Sequence, residues 1–355
     1  MALVEPRPSQ VANIKVIGVG GGGGNVVNQM IGQNEIRGVN FMVANTDAQA
    51  LLTSKCDTKI QLGKTLTRGL GAGGNPKIGK KAAQESKKEI KDLLKGSDMV
   101  FIAGGMGGGT ASGGAPIIGQ IAREELGILT VAVVTKPFIF EGTRRMVIAE
   151  EAIENLKDKV DTLIVIPNQK LLLIAGENMS LVEAFSMADS VLIQGVKGIS
   201  ELITIPGLIN LDFADIKSIM ANAGSALLGV GQASGENRAQ EAVFNAISSP
   251  LLDVSIQGAR GILFNITGAK DLTMNEVEQA AREISDQVGG DANIIFGATI
   301  DEQTSGVKIT VIATGFDQTR QALSQLVEKP KQAAKGKEEE EDIPEIAEEE
   351  LPEGV

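Results

Sequence analysis

Asp98-Met99-Val100-Phe101-Ile102-Ala103-Gly104-Gly105-Met106-Gly107-Gly108-Gly109-Thr110-Ala111-Ser112-Gly113-Gly114 runs from an apolar stretch straight into a glycine-rich one. A helix-like segment, Ala115 to Leu126, follows. The pattern reads as a buried strand, a loop and a helix start. With no side chains in the way, backbone N–H groups can close around phosphate oxygens. The helix N-terminus adds partial positive charge, and the Thr110 and Ser112 hydroxyls add donors. A second loop repeats the setting: Gly18-Val19-Gly20-Gly21-Gly22-Gly23-Gly24-Asn25 follows the strand-like Ile14-Lys15-Val16-Ile17 and opens a helix near Asn25. Two such loops imply a polyphosphate held from two sides.

Working outward, the apolar runs 13–18, 39–44, 98–103, 128–135 and 161–166 alternate with polar, helix-like stretches. Several are nearly continuous, as strands buried on both faces should be. The fold class is therefore α/β, a doubly wound, mostly parallel, Rossmann-like sheet. Ligands in such sheets sit at the carboxyl ends of strands, where both glycine loops lie. Residues 180–203 read as one long helix, with the capping-box pattern Ser180-Leu181-Val182-Glu183 at its start and Pro206-Gly207 at its stop. Strands are expected at 225–231, 260–267, 293–299 and 306–314, and helices at 236–248, 273–288 and 316–327. The expected organisation is an N-terminal extension (1–12), a nucleotide-binding domain (13–179), a connecting helix (180–205), a smaller α/β domain (206–318) and a disordered tail (329–355).

The chain has 355 residues, 43% hydrophobic, and a net charge of −12. It contains no histidine, which removes histidine triads, histidine metal sites and histidine acid–base catalysis. The single cysteine, Cys56, cannot form an internal disulfide and has no histidine to activate it, so it reads as a plain small residue. Any catalysis must rest on carboxylates, backbone dipoles and a metal ion. Residues 338–355 hold ten acids and no base, whereas 329–337 hold four lysines and no acid. The body is mildly acidic, which argues against nucleic acid as the main ligand. No signal peptide and no bilayer-spanning run is visible, so membrane contact is expected only through a partner.

Other segments have two readings each. Gly18-x-Gly20-x-x-Gly23 matches the dinucleotide fingerprint, and Asp47 in Asn45-Thr46-Asp47 could be its ribose acid, so an NAD-dependent oxidoreductase is a rival. Gly69-Leu70-Gly71-Ala72-Gly73-Gly74-Asn75-Pro76 is either a surface loop or a third wall around the phosphates. Glu141 and Arg145, after Pro137, form either a surface ion pair or nucleotide contacts. Asn168 sits at a strand end, where an amide can meet ribose hydroxyls or a base. Phe185 is either core or a base-stacking face. Asp189, one helical turn on, is either solvated or a carboxylate accepting two N–H bonds, the feature that selects guanine over adenine. In Asn210-Leu211-Asp212-Phe213-Ala214-Asp215, the acids are either an N-cap cluster or a pair that polarises water or binds a metal.

Taken in order, these motifs resemble the FtsZ family, the prokaryotic tubulin homologues of cell division, over about residues 11–318. The resemblance implies a GTP-binding domain, a long central helix and a C-terminal activation domain. It implies that the loops containing Gly20, Gly21, Gly22, Gly23, Gly24 and Asn25, then Asn45 and Asp47, then Gly71, Ala72, Gly73, Gly74 and Asn75, and then Gly104, Gly105, Met106, Gly107, Gly108, Gly109 and Thr110 bind GTP or GDP, with Mg²⁺ held mainly through the phosphates. Pro137, Glu141, Arg145 and Asn168 would meet ribose and phosphates, and Phe185 and Asp189 would meet guanine. Asn210, Asp212 and Asp215 would act on the adjacent subunit's GTP in a head-to-tail homopolymer that forms the cytoplasmic division ring. A tubulin-like filament protein with weak GTPase activity is the nearer alternative. Two features depart from the family. Ala111 stands where the family has glycine, which helical backbone at the helix start would tolerate. The tail has Asp342-Ile343-Pro344 but lacks the usual apolar and basic completion for docking membrane anchors and other division proteins.

Overall fold

Ten strands form one sheet in the computed structural model, which describes residues 12–316 apart from 34–35, 37, 176–178, 206, 210, 250–251, 253–254, 290–291 and 303. The strands are β1 (Ile14–Val19), β2 (Val39–Asn45), β3 (Thr58–Gln61), β4 (Met99–Gly105), β5 (Leu129–Lys136), β6 (Thr162–Pro167), β7 (Gly224–Ala233), β8 (Gly261–Gly268), β9 (Asn293–Ile300) and β10 (Val307–Thr314). The helices are α1 (Gly20–Gln33), α2 (Ala48–Thr53), α3 (Lys64–Thr67), α4 (Pro76–Glu85), α5 (Lys87–Leu94), α6 (Thr110–Gln120), α7 (Thr143–Lys157), α8 (Asn168–Ala175), α9 (Leu181–Thr204), α10 (Phe213–Met220), α11 (Arg238–Ile247) and α12 (Met274–Val288).

The strand order is β3-β2-β1-β4-β5-β6-β7-β10-β8-β9. From β3 to β7 every pairing is parallel, and β10 runs antiparallel to β7 and β8. The order 3-2-1-4-5-6 reverses between β1 and β4, which opens a crevice at their carboxyl ends. The runs read as buried strands are buried: β4 is closed to solvent from Met99 to Gly104 and β5 from Leu129 to Thr135. The later elements extend the same sheet through a short β6–β7 ladder, Thr162–Gly224 to Ile164–Ala226. They gather around a separate core that includes Phe264, Ile266, Val277, Ile284 and Ile309.

Helix α9 begins with the expected capping box: Ser180 and Glu183 side chains each accept from the other's backbone N–H. Its apolar face, including Val191, Val196 and Ile199, shares a core with Val133 of β5, Leu228 of β7 and Ile312 of β10. A Cβ on Gly198 would lie 2.8 Å from Thr310 Cγ2, so α9 approaches β10 at a distance that a side chain would block.

Two helix starts differ from the sequence expectation. The first helix opens at Gly20, not near Asn25, and the second at Thr110, not Ala115. Glycine's poor helix propensity argues for loop in both places, but packing overrides it. A Cβ on Gly18 would lie 2.2 Å from Gly23 O, and one on Gly23 would lie 2.4 Å from Ala103 O. The glycines thus let α1 lie directly on β1 and β4. Ala111 is a buried residue of α6, and its methyl packs beside Gly104, so alanine suits this position. Of the expected helix 316–327 all but Phe316, of the extension 1–12 all but Ala12, together with Pro206 and the tail 329–355, lie outside the described residues.

Helices α4 and α6 pack as closely as α1 does on the sheet. A Cβ on Gly113 would lie 2.0 Å from Pro76 O and 2.5 Å from Lys80 N, both backbone atoms that cannot swing aside. Gly113→Ala is therefore expected to destabilise the chain by about 2 kcal/mol through forced separation of α4 from α6. Urea denaturation measures this, and an unchanged midpoint would show that the contact is not tight.

Candidate functional site

The carboxyl ends of β1 and β4 each lead into a helix whose first turn lacks a side-chain cap. Val19 precedes α1 and has no polar group; Gly109 precedes α6 and makes no side-chain cap hydrogen bond. The first N–H groups of a helix have no intrahelical acceptor. Here they add to two macrodipole ends, which together favour an anion. The two ends touch: a Cβ on Gly20 would lie 3.3 Å from Ala111 N, and one on Gly22 would lie 3.4 Å from Gly105 N. Gly20 (φ +74°) and Gly107 (φ +101°) have backbone angles that L side chains resist. Gly73 (φ +56°) and Gly74 (φ +71°) share such angles, with open space around them. At Gly21, Gly24 and Gly108, by contrast, φ is ordinary and a Cβ would meet nothing within 4 Å, so neither backbone angle nor packing calls for glycine there.

The third glycine stretch forms a wall of the same cradle. A Cβ on Gly109 would lie 2.8 Å from both Ala72 Cβ and Asn75 N. Asn75 caps α4 by accepting from Lys77 N–H at 3.0 Å, and Pro76 occupies the first helical position. Asn45 is buried, and its Oδ1 accepts from Asp47 N–H at 3.2 Å. Asp47 Oδ1 accepts from Gln49 and Ala50 N–H, capping α2. The two hydroxyls expected as donors also have partners within the chain, and Ser112, which accepts there, keeps its O–H to give. Thr110 Oγ1 lies 2.7 Å from Thr46 Oγ1, and Ser112 Oγ accepts from Gly107 N–H at 2.9 Å. They shape the loop. Thr46 went unread in the sequence, where only its place between Asn45 and Asp47 marked it.

The segment after β5 closes a further side. Pro137 is buried, and a Cβ on Gly107 would lie 2.7 Å from Arg145 O. Arg145 Nη1 donates to Glu141 Oε2 at 2.6 Å, so the i, i+4 pair forms. The Glu141 side chain is only 11% exposed because its other oxygen accepts from Phe138 N–H. Asn168, the first residue of α8, is buried, and its Oδ1 has no hydrogen-bond partner among the described residues. Such an orphaned acceptor costs about 1–3 kcal/mol until a donor arrives. Phe185 is 41% exposed and meets Phe138 edge-on at 5.4 Å, while Phe138 stacks on Phe140 at 5.1 Å. Asp189 is tied to α1 by Gln29, whose Nε2 donates to it at 2.9 Å. Burial pushes the Asp189 carboxyl up to about 6. Cys56 is buried, and burial raises its thiol, in keeping with an inert residue.

The acid pair stands elsewhere. Asp212 caps α10 by accepting from Asp215 N–H at 2.8 Å, and Asp215 accepts in return from Asp212 N–H. Asn210 lies outside the described residues. Helix α10 ends in a turn held by Asp161, the residue just before β6. The pair's helix is thus anchored at the amino-terminal edge of the parallel strands, whereas the glycine cradle occupies the carboxyl edge. An eight-residue strand such as β5 sets those edges roughly 26 Å apart. Among the described residues no group of three or more acidic, thiol or imidazole side chains is placed to hold a metal ion. None of their helices is long and apolar enough to cross a membrane.

The GTPase-domain model of the Tubulin/FtsZ family matches residues 13–176, and the C-terminal-domain model of the FtsZ family matches 224–317. Among solved structures, an empty FtsZ dimer from M. jannaschii is 50% identical, with 86% of this chain and 88% of that chain covered and a TM-score of 0.82. The GDP-bound CetZ1 monomer of Haloferax volcanii (21% identity, 85% and 94% covered, TM-score 0.74) and a GTPγS-bound CetZ2 protofilament from the same organism (18%, 90% and 99%, 0.70) share the fold. A glycine cradle at the switch point, two family models in sequence and half-identity over most of the length converge: the chain belongs to the FtsZ family.

Proposed function

We propose that this chain binds GTP in the glycine cradle, hydrolyses it when a second copy presents its acidic edge, and assembles head-to-tail into filaments that form the division ring. The observation that carries this reading is the contact between two uncapped helix N-termini at the carboxyl ends of β1 and β4. The N–H groups of the first turns of α1 and α6, with Gly108, take the phosphate oxygens, and Gly107, whose own N–H is held by Ser112 Oγ, turns the loop between them. The Gly71–Asn75 loop covers them. No lysine is needed, because the dipoles are fixed before the ligand arrives and need no reorganisation. Mg²⁺, when bound, would be held mainly through the phosphates and would supply charge neutralisation there. Asn45, Asp47, Glu141 and Arg145 border the ribose and phosphates, and Asn168 Oδ1 accepts from a ribose hydroxyl.

The base end is set by Phe185 and Asp189. The exposed ring face of Phe185 stacks on guanine, and the Asp189 carboxylate accepts two guanine N–H bonds. Adenine lacks that donor pair. Phosphoryl transfer then requires an in-line water and charge neutralisation. Asp212 and Asp215 of the next copy, with Asn210, orient the water. Because cradle and acid pair occupy opposite edges, the contact between copies is heterologous and does not close, which generates a filament. The same geometry ties hydrolysis to assembly. Family membership and the second glycine loop set aside the oxidoreductase reading, which rested on the first loop alone. The acidic segment 338–355 suits a basic partner, through which cytoplasmic filaments would reach the membrane.

Asp212→Ala and Asp215→Ala are expected to leave GTP affinity of dilute protein unchanged, lower turnover by about a hundredfold or more, and prolong filaments in sedimentation assays. Loss of GTP binding by either variant would contradict the split site. A second test follows from Asp189. Its raised value means that the accepting, ionised form fills only as pH climbs through about 6. The ratio of wild-type to Asp189→Asn affinity for GTP should therefore rise about tenfold between pH 5 and 7.5 and level off above. Using the ratio cancels the titration of GTP itself. A flat ratio would remove Asp189 from base recognition.

A further inference from the structure

Helix α6 leaves the cradle and ends at the opposite edge of the sheet in a π-helical turn, Ile121–Glu125, closed by Leu126 N–H donating to Ile121 O at 3.2 Å. Such turns are rare and recur at functional places. From this one projects Arg123. Its guanidinium is divided among three acceptors: Nη1 donates to Asp158 O at 2.9 Å, Nη2 donates to Asn222 Oδ1 at 2.7 Å, and Nε lies 3.4 Å from Asp161 Oδ1. Asp161 is 7% exposed, and both its oxygens are used. Oδ1 also accepts from Asn222 N–H at 3.2 Å, and Oδ2 accepts from Thr130 N–H at 2.9 Å. Side chain and backbone of Asn222 are thus gripped together. Asn222 has φ +54°, a left-handed angle that asparagine tolerates better than most residues.

Asn222 follows α10 by two residues. The carbonyls of the last turn are also held: Thr162 Oγ1 donates to Met220 O and Thr314 Oγ1 to Ile219 O. Among the described residues, the polar contacts of α10 with the body lie at its carboxyl end; ahead of its amino end, which carries Asp212 and Asp215, Leu208 and Ile209 pair through their backbone with Ala298 of β9. The helix is a short lever. Its eight residues span about 12 Å, so ~10° of play at the anchor moves the carboxylates by roughly 2 Å. A misplacement of about 1 Å in a catalytic array can cost about a hundredfold in rate.

We infer that Arg123, Asp161 and Asn222 form the positioning device for the acidic loop, clamping the carboxyl end of α10 so that Asp212 and Asp215 meet the neighbouring copy's GTP at the productive angle. The inference rests on the split-site reading proposed above. Apolar anchoring by Ile216, Ile219 and Met220 holds α10 on the body. The polar clamp sets its angle.

Asn222→Gly keeps the left-handed angle and deletes the acceptor, and Arg123→Met keeps the aliphatic stem and deletes the fork. In the full-length chain with Mg²⁺ and GTP, each is expected to lower turnover per sedimented subunit about tenfold, with GTP affinity of dilute protein and the thermal midpoint nearly unchanged. The double variant should lose no more than the worse single one, and Arg123→Lys should recover part of the rate. In an Asp212→Ala background, Asn222→Gly should have no further effect. Unchanged turnover in Asn222→Gly and Arg123→Met, while Asp212→Ala is inactive, would overturn the positioning device alone. A fall matched by equal loss of polymer or of thermal midpoint would reduce the clamp to a structural role and overturn it as well. Full turnover in Asp212→Ala would overturn the split site and the device with it.

Discussion

Backbone meets backbone where α1 crosses β1 and β4. Gly18 and Gly23 permit a separation that any side chain would prevent, and the rest of the cradle depends on that approach. Because α1 lies so low, its amino terminus reaches the amino terminus of α6. Because Gly79, Gly109 and Gly113 let α4 lie equally close to α6, the loop before α4 closes over the same space. Three glycine-rich segments far apart in the chain thus meet beside the amino termini of α1 and α6. Fixed backbone dipoles there favour an anion, and the surrounding packing sets their orientation.

The second consequence is topological. A parallel sheet has unlike edges, and this one puts the cradle at the carboxyl edge and anchors the acid pair's helix at the amino edge. Within a single chain, no side-chain motion spans a gap of roughly 26 Å. On the proposed reading the acids act on a nucleotide held by another copy, and the turn after α10 then bears on that chemistry as much as the loop before it. A rigid anchor at one end determines how accurately the other end is presented.

Much of this was legible in the chain. The strand runs stand out because strands buried on both faces are continuously apolar, and the Ser180–Glu183 capping box marks the start of α9. Of the acid pair's two readings the structure displays the N-cap one, Asp212 and Asp215 accepting from each other's backbone, and that cap leaves room for the proposed catalytic one. Helix starts were harder to read. Glycine's propensity points to loop, and only contacts with distant segments make Gly20 and Thr110 the first residues of helices. Short elements such as β3 and α2 lack the length to show a period. The roles of Thr46, Gln29 and Asn222 depend on partners 64, 160 and 99 positions away, and no local pattern carries such information.

A catalytic site completed only between copies makes turnover depend on assembly. Turnover of GTP per subunit, followed against total protein concentration with Mg²⁺ alongside light scattering, should then show a threshold below which both signals are absent and above which they rise together. A rate per subunit that stays constant with concentration, without scattering, would mean a self-contained site and contradict that dependence.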